Sequence, residues 1–534
     1  MLMFLARPKA AMPALLIAAT LAFAPGTAAA KMVLNRSSAA DPDTLDPHVS
    51  SGNSAAIVLY DIFQPLMTLD DKGEVTAGAA ESYTVSPDGL TYTFKLRPNL
   101  KWSDGTPLTA EDFVYSFRRI QSPETAGRYA QWFWSVKNAE AVNKKQAKPE
   151  DMGVKALDAR TVQISLATPS PIFLEIMATF TSSPVPRHVV EKFGREWTAP
   201  ERIVSNGAYM VTERVPQTRI KAVKNPNFYD AANVKIDEAN YFPTENLGTV
   251  LNRFRAGELD VALNFPPDQI EWIRQNLPKE LHIAPNLGVY YFLVNNTKPP
   301  LNDPRVRKAL SMAIDREGMV SKLLNTGVIP GYSLVSPVVA NYSVYKPAYA
   351  AQAMPARMAE AKKLLSEAGF GPGKPLKITL QFDTLEENRK MAVAMAAMWK
   401  PLGVDVELAN SEFRDLTRRA RTGDYDIMRW AYFSPFNDAS AYLNLLRTGD
   451  ASNFSGFANA EYDKLMLEAN TIIDMKRRAA LMYQAEQILL DTQAIIPVYH
   501  YVARRLIHTY VKNWNDNPRN ANLTRYLSVE RPAR

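Results

Sequence analysis

The 534-residue chain has no cysteine and only five histidines. Without a thiol there is no disulfide, no thiolate nucleophile and no thiolate metal ligand, whichever compartment the chain occupies. His48, His188, His282, His500 and His508 are scattered, and none stands at a metal-ligand spacing such as His-Glu-x-x-His. A Gly-x-Ser-x-Gly elbow and a phosphate-binding loop are missing as well. The glycine-rich phrase Gly369-Phe370-Gly371-Pro372-Gly373 carries a proline and follows a helical pattern, so it reads as a helix-terminating loop. Low-complexity segments and internal repeats are absent too. These absences point away from catalysis, and the chain is expected to be a non-enzyme with no cofactor and no metal.

Long apolar runs are also lacking. The one concentrated run, residues 14–24, is too short for a stable membrane span. It follows a basic stretch with Arg7 and Lys9 and precedes Ala28-Ala29-Ala30, which has the form of an export signal and its cleavage site. No cysteine follows the site, so no lipid anchor is expected. Removing the signal takes the net charge from +7 to +5. Spread over a large surface, that excess does not suggest nucleic acid as a partner. About 500 mature residues exceed what one core supports, so two or three lobes are expected.

Local patterns give mixed α+β elements. Met32-Val33-Leu34 opens a strand, and residues 55–63 read as a helix. Leu90, Tyr92, Phe94 and Leu96 alternate with polar residues after the turn Asp88-Gly89, which predicts a half-buried strand. After a second turn at Asp104-Gly105, Thr109 caps a helix with Glu111 and Asp112 in its first turn. A strand pair flanks Asp158-Ala159, and Pro184-Val185-Pro186 breaks the chain. Further on come a strand at 219–223, a helix over 247–255 stopping near Gly257, and a buried strand at 290–295. Asp303 and Pro304 start a helix that buries Val306, Ala309, Leu310, Ala313 and Ile314. A helix over 355–368 and strands at 376–382, 404–409 and 425–430 alternate, as in a partly parallel sheet. The run Arg418-Arg419-Ala420-Arg421 reads as a solvated helix end.

The wording of these segments carries more than their spacing. Asp46-Pro47-His48, Glu81-Ser82, the run from Pro87 to Arg119, Asn206-Gly207-Ala208-Tyr209, Arg255-Ala256-Gly257-Glu258-Leu259-Asp260, the run from Pro299 to Arg307, and Pro497-Val498-Tyr499 occur in one order. In these words and their order the chain resembles the bacterial extracellular solute-binding proteins of the peptide and nickel class, family 5. The resemblance covers nearly the whole mature chain. It implies an α/β, mixed α+β, two-lobed periplasmic-binding-protein-like fold with an extra third domain and two interlobe crossings near residues 287 and 502. The domains implied are 31–63 with 186–287 and 503–534 as lobe I, 64–185 as the extra domain, and 288–502 as the second large lobe. Its function would be to bind oligopeptides or a related small solute in the periplasm as a monomer. The solute would then pass to the permease of an ATP-binding-cassette importer in the inner membrane. An exported chaperone-like or enzymatic protein is the alternative from another class.

Carried across position by position, the resemblance points to Ser51, Gly52 and Asn53 for backbone pairing with the ligand. It also points to Tyr129, Tyr291, Phe413, Tyr432 and Tyr501 as cleft aromatics, and to Arg429 as a cleft cation. Singly, each aromatic reads as core more readily than as a ligand contact, and only the resemblance brings the two readings level. The family's peptide binders hold the ligand's α-amino group with an aspartate, and an ungapped alignment puts Pro435 there. Asp438 is the nearest substitute, although it also reads as a helix cap. The basic positions that face the peptide carboxylate carry Leu324 and Ala420, and the cysteine pair of one family member falls on Gly288 and Phe433. A non-peptide or N-terminally blocked solute is therefore the alternative ligand. Export is expected to cleave after Ala30, so the intact mass of periplasmic protein should correspond to a chain starting at Lys31; a mature chain retaining Met1 would refute the leader.

Overall fold

The computed structural model describes residues 31–531; the leader and its expected cleavage site lie outside the described residues. Two long strands, Leu281–Val294 and Ile495–Ile507, pair antiparallel and run through the middle of an 11-stranded sheet. On one side of this pair the sheet continues through Val261–Ala262, Val33–Ser38, Glu238–Pro243, Arg219–Lys224 and Tyr209–Val215. On the other it continues through Ile427–Phe433, Leu376–Asp383 and Val404–Ser411. The chain thus crosses twice between two halves of a mixed sheet. The parallel pairings are Val33–Ser38 with both Glu238–Pro243 and Val261–Ala262, and Leu376–Asp383 with both its neighbours.

A separate four-stranded antiparallel sheet holds the segment with the alternating pattern. Its order is Ala80–Val85, Thr91–Leu96, Thr161–Ser165, Val154–Asp158. Tyr92, Phe94 and Leu96 face inward as their alternation predicts, and Thr91, Thr93 and Lys95 lie between them partly exposed. The helix Ala110–Gln121 starts at Thr109, whose N–H donates to Asp112 Oδ2 at 2.8 Å. Phe113, Val114 and Phe117 join Phe94, Val162 and Ile164 in one buried cluster.

Several bounds differ from the sequence reading. The strand expected at 290–295 begins at Leu281, because Pro285 and Gly288 read as breakers and conceal the first half. The strand expected at 425–430 runs over Ile427–Phe433. The helix expected after Asp438 is the short Ser440–Leu443 followed by a tight turn over Asn444–Leu446. Leu247–Arg255 has the expected bounds, and Asp303 caps Pro304–Met312 by accepting the Arg305 N–H at 2.9 Å.

The helix Met475–Asp491 pins the loop that follows Tyr332. Glu486 is fully buried on it and accepts the N–H groups of Leu334 (3.1 Å), Val335 (3.0 Å) and Tyr345 (3.0 Å), plus the Tyr342 hydroxyl (2.8 Å). Burial outweighs these donors and pushes the carboxyl up from an ordinary 4.5 to about 7. A raised acid stabilises the fold fully below the unfolded value and loses that contribution as pH climbs through about 7, a swing on the order of 3 kcal/mol. Wild type should therefore unfold at lower urea near pH 8 than near pH 5, and Glu486→Gln, which keeps only one of the two acceptor oxygens, should be less stable than wild type near pH 5 and lose most of that pH dependence. Parallel stability-versus-pH curves for the two proteins would refute the buried acid as their source.

Candidate functional site

The interruption in the central strand pair shapes the main cavity. Pairing shifts register between Pro285 and Val289, which leaves Asn286 and Leu287 out of the ladder. Their backbone groups are taken up elsewhere. Leu287 N–H donates to Pro518 O (3.2 Å), and Leu287 O accepts from Ser434 N–H (2.9 Å) and the Tyr442 hydroxyl (2.7 Å). Ser336 Oγ donates to Asn286 O at 2.9 Å. Around this point lies a cavity of about 530 Å³, lined from both halves of the sheet and from the segment holding the four-stranded sheet.

Three expected residues line this cavity: Gly52, Tyr129 and Tyr432. Gly52 has φ 88°, a conformation that disfavours other residues, and a Cβ there would meet nothing within 4 Å. Its C=O accepts the Ala56 N–H at the start of the helix Asn53–Ile62. Tyr129 stacks on Trp132 with centroids 4.3 Å apart, and Trp132 meets Phe436 edge-on at 4.9 Å. Tyr432 packs edge-on against Tyr442 at 5.4 Å, and burial holds its hydroxyl above the ordinary phenol value, so it is a neutral polar group. Pro435 also lines the cavity.

The other expected residues sit elsewhere. Ser51 flanks Gly52, but its N–H and Oγ both donate to Asp43 Oδ2, at 3.1 and 3.0 Å. Asn53 is the first residue of the helix that follows. Tyr291 is buried in the core behind Tyr432. Phe413 is 54 % exposed and stacks on Trp430 at 6.1 Å. Arg429 ion-pairs with Asp383 at 2.9 Å and lies 5.2 Å from the Tyr290 ring centroid; Tyr501 packs on Phe433 at 4.7 Å. Asp438 is engaged by Arg478 at 2.5 and 2.7 Å and accepts the Ser440 N–H at 2.9 Å. Burial opposes ionisation of Asp438, but Arg478 and Ser440 outweigh it and hold the carboxyl below its ordinary value. Leu324 packs against the core, and Ala420 is buried.

The sequence reading missed Trp132, Phe180, Arg36, Glu175, Arg505 and Arg519, all of which line the cavity. The dense aromatic run around Trp132 was a usable signal. The arginines come from strands and from the loop near residue 520, and only the fold brings them together. The motif Asp46-Pro47-His48 proves architectural. Arg119 donates to Asp46 at 3.1 and 2.6 Å, Trp197 Nε1 donates to it at 2.9 Å, and His48 Nε2 lies 3.1 Å from Ser183 O. Burial, with Arg119 beside it, pushes His48 down to about 4, so the ring is neutral.

Asp438→Asn should leave Arg478 buried without its counter-charge and cost about 3–5 kcal/mol of unfolding free energy in urea titration. Unchanged stability with lost binding of free-amine ligands would make Asp438 a ligand anchor instead.

The profile described as "Bacterial extracellular solute-binding proteins, family 5 Middle" matches residues 74–454. The chain is 37% identical over 494 residues to the periplasmic murein peptide-binding protein MppA of Escherichia coli, covering 92% of this chain and 91% of that one. It is 37% identical to the periplasmic oligopeptide-binding protein OppA of Salmonella typhimurium, covering 90% and 89%. It is also 37% identical to the probable deoxycholate-binding periplasmic protein YgiS of Escherichia coli, covering 90% of each. The unliganded open form of MppA superposes with a TM-score of 0.82 at 36% identity, covering 94% of this chain and 98% of that one. The chain belongs to the bacterial extracellular solute-binding proteins of family 5.

Proposed function

We propose that this protein is the periplasmic receptor of an ATP-binding-cassette importer, binding oligopeptides or peptide-like solutes and presenting them to the permease. The observation that carries the reading is the cavity of about 530 Å³ whose walls come from both sides of a double strand crossing. A solute held there touches both halves, so its binding energy favours a closed arrangement. Gly52 brings main chain up to the cavity, and Tyr129, Trp132 and Tyr432 supply broad ring faces. Such a lining holds a backbone without reading its sequence, and bridging water accommodates different side chains. The role is binding rather than catalysis, the receptor works as a monomer, and residues 1–30 direct its export.

A second reading is supported by Pro435. Proline offers neither charge nor backbone donor where family resemblance expects an acid for the ligand's amino group, and Asp438 is committed to Arg478. A solute with a blocked amino terminus, or a non-peptide such as the one named for the relative YgiS, meets this wall without an unpaired ammonium. Protein purified from the periplasm should release a peptide or peptide-like solute into the mass spectrometer, and X-ray scattering should show compaction when that solute is restored. Identical scattering with and without it would refute closure. Acetylating the amino terminus of a bound peptide should change Kd less than about tenfold, under about 1.4 kcal/mol; a loss of about 3–5 kcal/mol would show that an acid does hold the amine.

A further inference from the structure

The charged residues lining the cavity are Arg36, Arg505, Arg519 and Glu175. Arg519 is answered by Glu175, whose Oε1 accepts its NH2 at 2.7 Å. The Arg36 guanidinium donates to neutral oxygens: Nη1 bonds Asn522 O and Thr524 Oγ1, each at 3.0 Å. Asp61 is linked to it through the Thr524 hydroxyl, and burial holds its carboxyl above the ordinary value despite Arg36. Arg505 is 5% exposed, and its Nε donates to the neutral Asn520 Oδ1 at 2.8 Å. Its buried NH1 has no acceptor among the described residues, and the same holds for Arg36 Nε. The two guanidinium groups lie over one indole, Trp514, at 6.0 and 5.7 Å. Burial, then Arg36, pull Arg505 down to about 9, while Asp516 acts the other way with its carboxylate already 3.0 Å from His282 Nδ1.

These cations line the same cavity as Pro435, and a chain of bonds links them to it. Ser434 N–H bonds Leu287 O, Leu287 N–H bonds Pro518 O, and the loop continues through Arg519 to Asn520, which holds Arg505. A ligand ammonium at this end would face like charge, and a buried cation without a partner is itself costly. A carboxylate answers both problems and suits the planar fork of a guanidinium.

We infer that Arg505, reinforced by Arg36, forms an anion subsite that receives a carboxylate of the bound solute at the Pro435 end of the cavity. The inference rests on the solute-receptor reading above. It makes the polarity of this end the reverse of an amine-anchoring cleft.

Calorimetry on protein freed of co-purified solute tests it with trialanine, trialanine amide and deoxycholate, a steroid carboxylate. Wild type should bind the trialanine acid roughly tenfold to a hundredfold more tightly than the amide, the scale of a hydrogen-bonded charge. Arg505→Met should erase that preference and Arg505→Lys should retain part of it, with thermal melts confirming that both variants fold. If neither trialanine form binds but deoxycholate does, and Arg505→Met abolishes that binding, the subsite stands and the peptide reading falls. If the amide binds wild type as tightly as the acid, if Arg505→Met keeps the preference, or if neither acid binds, the subsite is overturned. The peptide reading survives in those cases whenever any trialanine form binds.

Discussion

The pairing of Leu281–Val294 with Ile495–Ile507 is the constraint on which the rest depends. One continuous ladder would make the two halves of the sheet a single rigid slab. The ladder instead loses register between Pro285 and Val289, so the strands continue while their pairing does not. An interruption exposes backbone donors and acceptors, which are costly if buried unpaired. Tyr442, Ser336, Ser434 and Pro518 satisfy them, and these partners come from three separate segments. The cavity sits at this interruption because the segments that repair the ladder also wall it.

What surrounds the cavity is then fixed by buried charge as much as by apolar packing. Asp46 with Arg119, Arg429 with Asp383, and Arg478 with Asp438 are close pairs at low exposure. Each pair fixes geometry, since removing one partner strands the other in a poorly solvated site. That commitment is why Arg429 and Asp438 do not serve as free cavity charges. Their ions are spent on positioning the strand Ile427–Phe433 and the segment after it, and Tyr432 and Pro435 reach the cavity as a result.

Much of the fold was legible from period and punctuation. The alternation at Tyr92, Phe94 and Leu96, the cap at Asp303, and the stripe Val306–Ala309–Leu310 all fall where their spacing puts them. The long strand from Leu281 was only half visible, because a proline and a glycine inside a central strand argue against it unless a bulge is known. The site was less legible. Gly52, Tyr129 and Tyr432 were found through resemblance, not through any local pattern. Arg36, Arg505 and Arg519 stand hundreds of residues apart in part, and nothing in the local sequence distinguishes a cavity arginine from one that ends a solvated helix such as Arg418. Only strand order brings residue 36 beside residue 505.

The cysteine-free chain shows how the crossing is closed without a covalent link. The positions where resemblance places one family member's cysteine pair, Gly288 and Phe433, are direct partners across adjacent strands. A Cβ on Gly288 would lie 2.5 Å from Phe433 Cε1 and 2.9 Å from Asn286 Oδ1. The glycine therefore makes room for the ring, and the ring covers the glycine. Phe433 also packs on Tyr501 at 4.7 Å, which joins it to the second crossing strand. A disulfide would tie one strand to one neighbour. The aromatic contact spans three strands at the interruption, and it holds them by ring packing alone.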